Sequence, residues 1–329
     1  MKIFTSLVLF LFATGLLAQH TFSIVAIDTI TGEVGSAGAS CLDDNTFPGS
    51  GGAIIISDLL PGKGAIHTQS FWLEANQNNA RQKMQEGLSP ADILLWLKQN
   101  DPEGPFGAQK RQYGIVDFDP QGHPRSAAFT GNSCFDWKGH RVGANYAIQG
   151  NILLGPEVVD SMEARFLAAE GSLSDKLMAA LQGANMVGAD TRSTDNGTSS
   201  LSAFLRVAQP GDNDGQYWLD LNVPSLPAGM EPIDSLQHLY DEWKALASTE
   251  PFALDFQICP NPARSQINLS VSASDSRVEL FDTMGRPVFS SRLVQGENHL
   301  YPTLLPGIYW VQVTAPPFYR QSRVLVWLE

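Results

Sequence analysis

Metal-binding spacing is missing from this chain. The six histidines, His20, His67, His123, His140, His238 and His299, are scattered with no HxH or HExxH pair, so no metal centre is expected. Cysteine is scarce. Cys41, Cys134 and Cys259 stand far apart, which excludes a CxxC redox pair and a zinc ribbon and leaves room for one disulfide in an exported chain. Positive charge is in deficit: 21 Lys and Arg against 34 Asp and Glu give a formal charge of −13. Such a chain is a poor ligand for nucleic acid or an anionic membrane. There is no GxSxG elbow, no Walker loop and no GxGxxG opening a helix, so no cofactor is expected. Beyond the first eighteen residues no run is long and apolar enough to span a bilayer.

What is present begins with an address. Residues 1–18 carry one charge, Lys2, and then LVLFLFATGLLA, a short apolar run ending in small residues. This fits a secretory signal peptide cut after Ala18, which would leave Gln19-His20-Thr21 at the front of the chain. The next stretch, HTFSIVAIDTITGEVGSAGAS, reads as a hairpin turning at Thr29-Ile30-Thr31-Gly32. Its second strand is made of small residues, so another backbone or a ligand can come close. Thr21 is either an ordinary strand residue or a nucleophile whose own α-amine serves as base. Alternation puts Thr21, Ser23 and Val25 on one face and Phe22, Ile24 and Ala26 on the other.

The rest of residues 19–250 alternates hairpins with helices. GGAIIIS (51–57) and GKGAIHTQ (62–69) read as strands joined by Asp58-Leu-Leu-Pro61. Asn76–Glu86 reads as a helix, and Ser89-Pro90 as the cap and first residue of another. YGIVDF and RSAAFT flank a Pro-Gln-Gly turn, and residues 131–143 read as a polar loop before the strand NYAIQGNIL. Two helices follow Gly155-Pro156, then the strands SLSAFLRVA and YWLDLNV, then an amphipathic helix, PIDSLQHLYDEWKALA. Tight hairpins imply antiparallel sheets whose faces the helices must cover, a layered α+β domain. Near residue 250 the character changes. Residues 256–329 show short alternating runs between Pro-rich punctuation, a small all-β sandwich.

Three polar constellations stand out. One is Thr21 with His20. The second is His67-Thr68-Gln69 at a strand end, where simple solvation is the competing account. The third joins Trp137-Lys138-Gly139-His140 to Gln149-Gly150-Asn151. Amides flanking a strand glycine suit a carbonyl or carboxylate that must approach the backbone, or else a turn network satisfying itself. Asp190 and Arg192 form a local ion pair in a Gly-rich loop, with surface solvation as the plain alternative. Cys41 and Cys134 follow small-residue strand ends and could meet in a disulfide; two buried thiols are the alternative.

Residues 20–245 resemble the DUF1028 family, whose fold is like that of the N-terminal nucleophile (Ntn) hydrolases. The matching pieces are TFSIVAID, GAIHTQ, EGLSPADIL, RQYGIVD, TGNSC with DWKGH, QGNILLGPEVVDSM and the GAD-R loop. The resemblance implies a four-layer αββα sandwich with Thr21 where the family's second residue stands. Residues 256–329 resemble the C-terminal sorting domain of the type IX secretion system, through Cys259-Pro-Asn-Pro-Ala263, Val278-Glu-Leu-Phe-Asp282, Met284-Gly-Arg286 and Leu305-Pro-Gly-Ile-Tyr309. That implies outer-membrane secretion machinery as a partner and a secreted or surface location. Two functions follow as expectations. One is an amide-bond hydrolase with Thr21 as nucleophile, a small amide or peptide as substrate, and His67, Gln69, His140, Gln149, Asn151, Asp190 and Arg192 around the site. The other is a catalytically silent binding or surface protein on the same scaffold.

Overall fold

The computed structural model describes residues 21–248, 256–271, 276–315 and 319–328. The expected signal peptide and Gln19-His20 lie outside the described residues. The chain divides into two compact units, at Tyr240/Asp241.

The first unit opens with the hairpin β1 (Thr21–Ile27) and β2 (Val34–Ser40). Asp28 builds its turn by accepting the N–H groups of Ile30 and Thr31, and Gly32 takes the left-handed φ of 74° that closes it. Then come β3 (Ser57–Leu60), β4 (Gly64–Ser70), α1 (Glu74–Gln85), α2 (Pro90–Gln99), a short α3 (Gly104–Ala108), β5 (Arg111–Phe118) and β6 (Pro124–Thr130). They are followed by β7 (Lys138–Val142), β8 (Tyr146–Asn151), α4 (Pro156–Ala168), α5 (Leu173–Gly183), β9 (Ser202–Ala208), β10 (Leu219–Val223) and α6 (Pro232–Ser248). The helix starts are chemical. Ser89 accepts the Asp92 N–H ahead of Pro90, and Ser172 forms a full capping box with Asp175.

Two antiparallel sheets result: six strands ordered β10-β9-β2-β1-β8-β7, and four ordered β3-β4-β5-β6. Helices α1 and α2 cover the four-stranded sheet, with Ala80, Met84, Ile93, Leu94 and Leu97 packed on Ile66, Tyr113 and Ile115. Helices α4 and α5 cover the six-stranded sheet. Leu173 and Leu177 press on Gly35, where a Cβ would sit 2.5 Å from Leu177, and Phe166 packs on Tyr146. Between the sheets lies a third interface, apolar at one end: Val25, Ile27, Val34, Leu59, Ala65, Val116, Ala147 and Ala208. The unit is an αββα sandwich, as the family resemblance implies and in agreement with the hairpin-and-helix order.

Two local expectations are corrected. Residues 52–56 form a 3-10 helix, not a strand, and β3 begins only at Ser57 and runs through Leu60, across the segment read as a connection. Gly51 and Gly52 take φ of 67° and 77°, and a Cβ on Gly52 would lie 2.8 Å from the Pro224 carbonyl. Ala53 and Ile56, three residues apart, bury together against Phe204. A short apolar run does not disclose that period. The second half of the polar loop 131–143 is β7, an edge strand that is only half-buried and so shows no apolar alternation.

The second unit is an all-β sandwich. A three-stranded sheet combines β11 (Phe256–Cys259), β12 (Ile267–Val271) and β15 (Gly296–Leu300). A four-stranded sheet, ordered β14-β13-β16-β17, combines β13 (Ser276–Phe281), β14 (Pro287–Leu293), β16 (Gly307–Ala315) and β17 (Tyr319–Trp327). Ile267, Leu269, Val278, Leu280, Val311, Val313 and Leu325 fill the space between. The Pro-Asn-Pro segment has a visible task. Asn261 accepts the Val326 N–H and donates to the Val324 carbonyl, tying the segment to β17.

The α2 cap gives a direct test of this reading. Ser89→Ala should lower the unfolding free energy by about 1 kcal/mol, read as a shift in urea midpoint at constant slope.

Candidate functional site

The other end of the inter-sheet layer is polar, and strand register lays it out in rows. Across the six-stranded sheet Ser40, Thr21, Asn151 and Lys138 are partners on β2, β1, β8 and β7. One row deeper come Gly38, Ser23, Gln149 and His140. On the four-stranded sheet Gln69, Gln112 and Thr130 form one row, and Ser57, His67, Gly114 and Ala128 the next.

These side chains bond across the gap in one connected network. Ser23 Oγ donates to Gln69 Oε1 at 2.5 Å and meets Gln149 Nε2 at 2.6 Å and His67 Nδ1 at 2.9 Å. Gln69 Nε2 donates to the Thr21 carbonyl at 3.3 Å and to Gln112 Oε1 at 2.8 Å. Asn151 Nδ2 donates to the same Gln112 oxygen at 3.0 Å. Gln112 Nε2 faces Thr130 Oγ1 and the carbonyls of Gly139 and Gly150, at 2.9, 3.1 and 2.8 Å. Thr130 Oγ1 lies 2.8 Å from His140 Nδ1. On the far side His67 Nε2 meets Ser36 Oγ at 2.8 Å, and Ser36 meets Ser57 at 2.7 Å.

Thr21 is fully buried at the start of the central strand. Its hydroxyl donates to Ser40 Oγ at 3.3 Å, and Ser40 Oγ also accepts the Leu42 N–H at 3.0 Å. The chain turns sharply beside it. Ser70 and Ile152, just after Gln69 and Asn151, hold left-handed φ of 71° and 58°. For a β-branched residue that conformation costs roughly 1–3 kcal/mol. Ile152 is kept there by its N–H to the Phe135 carbonyl and by Thr191, whose N–H and hydroxyl both reach the Ile152 carbonyl.

Each expected site residue can now be placed. Gln69 reaches Thr21 through the carbonyl, and Asn151 is its register partner. His67 and Gln149 lie one row deeper, fully buried and engaged with Ser23. His140 is half-buried at the outer end of the network, where burial and then Arg141 push its pKa down. Asp190 is buried and accepts the N–H groups of Cys41 at 2.9 Å and Arg192 at 3.2 Å, whereas the Arg192 side chain is exposed. The expected local pair therefore includes a main-chain bond that caps a turn. Sequence reasoning passed over Ser36, Ser40, Ser57, Gln112 and Thr130. The signal was alternation: Ser36, Gly38 and Ser40 share one face of β2, and Gln112 and Gly114 share one face of β5.

The cysteines are free. Cys41 is half-buried beside Asp190, and burial followed by that carboxylate raises its thiol pKa. Cys134 is buried and points at the Lys110 and Arg111 carbonyls, so the two do not form a disulfide. Among the described residues no group of three His, Cys, Asp or Glu side chains could hold a metal.

His67 makes the layer pH-sensitive. Burial, then the Arg206 charge, pushes its pKa down to about 3. Between that value and the unfolded value near ~6.5 the unfolded chain binds more protons, so stability rises with pH across that window. The contribution is complete above pH ~6.5 and is lost as pH falls, by at most about 1.4 kcal/mol per unit. Urea unfolding between pH ~6.5 and ~4.5, above the ordinary carboxylate range, should show this slope, and His67→Gln should flatten it.

A family model described as "Family of unknown function (DUF1028)" matches residues 21–235, and one described as "Secretion system C-terminal sorting domain" matches residues 257–325. No curated protein matches the chain. Among solved structures, the crystal structure of a Silicibacter pomeroyi protein assigned to DUF1028 is similar, with TM-score 0.53 and 25% identity over 68% of this chain and 88% of that one. PorZ, an essential surface component of the type-IX secretion system of Porphyromonas gingivalis, matches at TM-score 0.23 and 17% identity over 25% of this chain and 13% of its own, too little to carry an argument. The sorting domain marks a protein that is secreted or held at the cell surface. The chain belongs to the DUF1028 family and carries a secretion sorting domain behind its αββα unit.

Proposed function

We propose that the protein is a secreted amide-bond hydrolase of Ntn type, with Thr21 as nucleophile and a small amide or peptide as substrate. One observation carries this reading: Thr21 lies on a central strand and faces the polar end of the inter-sheet layer, between Ser40 and Asn151. Removal of the residues before it would free an α-amine beside its own hydroxyl. An α-amine titrates near pH ~8 and is a usable base. The hydroxyl oxygen attacks the amide carbon, and its proton passes to the α-amine. The ammonium then protonates the leaving nitrogen, and water cleaves the resulting ester to return the hydroxyl. Gln69, Gln149 and His67 support the site from below, Asn151 stands beside it, and Asp190, Arg192 and His140 border its approach.

A second reading has its own observation. Thr21 is fully buried, and the layer largely satisfies itself. That suits a catalytically silent scaffold for binding or surface display, with residues still attached before Thr21.

Intact mass of the secreted protein separates the two, since the hydrolase must start at Thr21. In that form Thr21→Ala should cost at least roughly 10⁴-fold in kcat/KM, while Thr21→Ser keeps part of the activity. Because the base acts when neutral, kcat/KM should rise with pH through about 8. Full activity with Gln19 and His20 attached would exclude the α-amine as base.

We also propose that residues 1–18 and 256–329 are addressing elements around a working domain of residues 19–250, the last recognised by the type IX machinery at the outer membrane. Residues 19–250 alone should then give a cooperative thermal transition and native helical circular dichroism; a molten product would defeat this division.

A further inference from the structure

We propose that the side-chain oxygen of Asn151 is the acceptor that holds the α-ammonium of Thr21, and that Gln112 is the positioning residue that keeps this oxygen in place. The inference rests on the hydrolase reading above and adds two roles to it.

The directions of the hydrogen bonds in the layer are forced. Backbone carbonyls only accept, so the Gln112 nitrogen must face Gly139 and Gly150, and its oxygen must turn to Gln69 and Asn151. Asn151 therefore spends its nitrogen on Gln112. The Thr21 carbonyl likewise fixes the Gln69 nitrogen, so the Gln69 oxygen accepts from Ser23. With its one proton spent, Ser23 accepts from Gln149 Nε2, and His67 Nδ1 lies against both, 2.9 Å from Ser23 Oγ and 3.1 Å from Gln149 Nε2.

Two side-chain atoms in these rows are left over: Asn151 Oδ1 and Gln149 Oε1, both buried and without a partner. Both are acceptors. A site whose unmet capacity is acceptor-only suits a group rich in N–H donors, not a carbonyl or a carboxylate. Gln149 Oε1 is one row deeper and blocked, since a Cβ on Gly114 would sit 1.9 Å from it. Asn151 Oδ1 belongs to the row of Thr21.

The nitrogen of Thr21 is on the right side for this. Ile27 N–H donates to the Asn145 carbonyl, towards β8. Strand alternation puts the nitrogens of Val25, Ser23 and Thr21 on the same side. As a peptide nitrogen, Thr21 N has one proton for β8. As an ammonium it has three, and Asn151 Oδ1 offers a second acceptor. When the ammonium gives up a proton and becomes the base, a remaining N–H keeps that bond while the lone pair is free for the hydroxyl.

The ionisable groups facing this end come from several elements: Cys41 after β2, His67 on β4, Lys138 and His140 on β7, and Asp190 and Arg192 ahead of β9. All are common to the variants below, so differences among those variants report Asn151 and Gln112.

The test uses the chain from Thr21 to Glu329, released from a cleavable leader. The α-amine is titrated by competitive acylation, read by mass spectrometry on the N-terminal peptide. Asn151→Ala should lower its pKa by roughly half to one unit, the worth of one ordinary hydrogen bond. Asn151→Asp, which keeps an acceptor and adds charge, should raise it above wild type. Gln112→Met should lower it by part of the Asn151→Ala shift and add nothing in the Asn151→Ala background. An unchanged pKa in folded Asn151→Ala overturns the proposal; should that variant not fold, absence of an upward shift in Asn151→Asp does so. Gln112→Met that loses stability but leaves the amine pKa unmoved makes Gln112 structural only. The titration needs no substrate. Inactivity of the same protein on amide substrates would overturn the hydrolase reading without touching this result, and the reverse holds equally.

Discussion

Three backbone carbonyls, those of Thr21, Gly139 and Gly150, can only accept, and the interior of the sandwich is arranged by that restriction. They fix which way Gln69 and Gln112 point. Those two amides fix Ser23 and Asn151, and His67 Nδ1 closes the chain against Ser23. A buried amide left free to flip would offer two interiors of similar energy. Here a chain of obligations leaves one. Burial and then the Arg206 charge hold the His67 ring neutral within this chain of bonds.

Such a layer is expensive when incomplete. An unsatisfied buried polar atom costs about 1–3 kcal/mol, while a satisfied pair returns only about 1. The sandwich meets this by confining polarity to one end and filling the other with Val, Ile, Leu and Ala. Small residues let the sheets close over the amides. Gly114 leaves room for Gln149, and Gly38 lies against Ser23 and Phe204. The apolar end supplies cohesion, and the polar end fixes how one sheet registers on the other.

Legibility in the sequence followed the range of the interaction. Hairpins and helix starts were readable because their causes are local: Asp28 and Gly32 in a turn, Ser89 before Pro90, Ser172 with Asp175. The 3-10 turn at 52–56 was not, because its reason is Phe204, some 150 residues away. Strand β7 was hidden because an edge strand owes its place to the ladder with β8 and not to its own apolar pattern. In the site, amides such as Gln149 and Asn151 could be suspected from the glycine between them. Gln112 showed only its alternation with Gly114, since one glutamine between Arg111 and Tyr113 carries no other local signal. Its role exists only where Gln69, Thr130, Gly139, Gly150 and Asn151 converge from four other strands and the turn of chain each provides.

The proposed role of Thr21 as a working chain terminus sets a demand on its position. Ends of chains fray unless something ties them down, and a frayed residue cannot be held within a fraction of an ångström of a reacting atom. Thr21 lies on a strand that is central in the sheet, with β2 on one side and β8 on the other. Both neighbours extend their pairing all the way to it, through Ser40 and Asn151. The ladder therefore anchors the residue from both flanks, and Gln69 holds its carbonyl from the opposite sheet. In the hydrolase proposed above, these contacts would hold the residue when removal of the preceding segment changes the chemistry of its nitrogen.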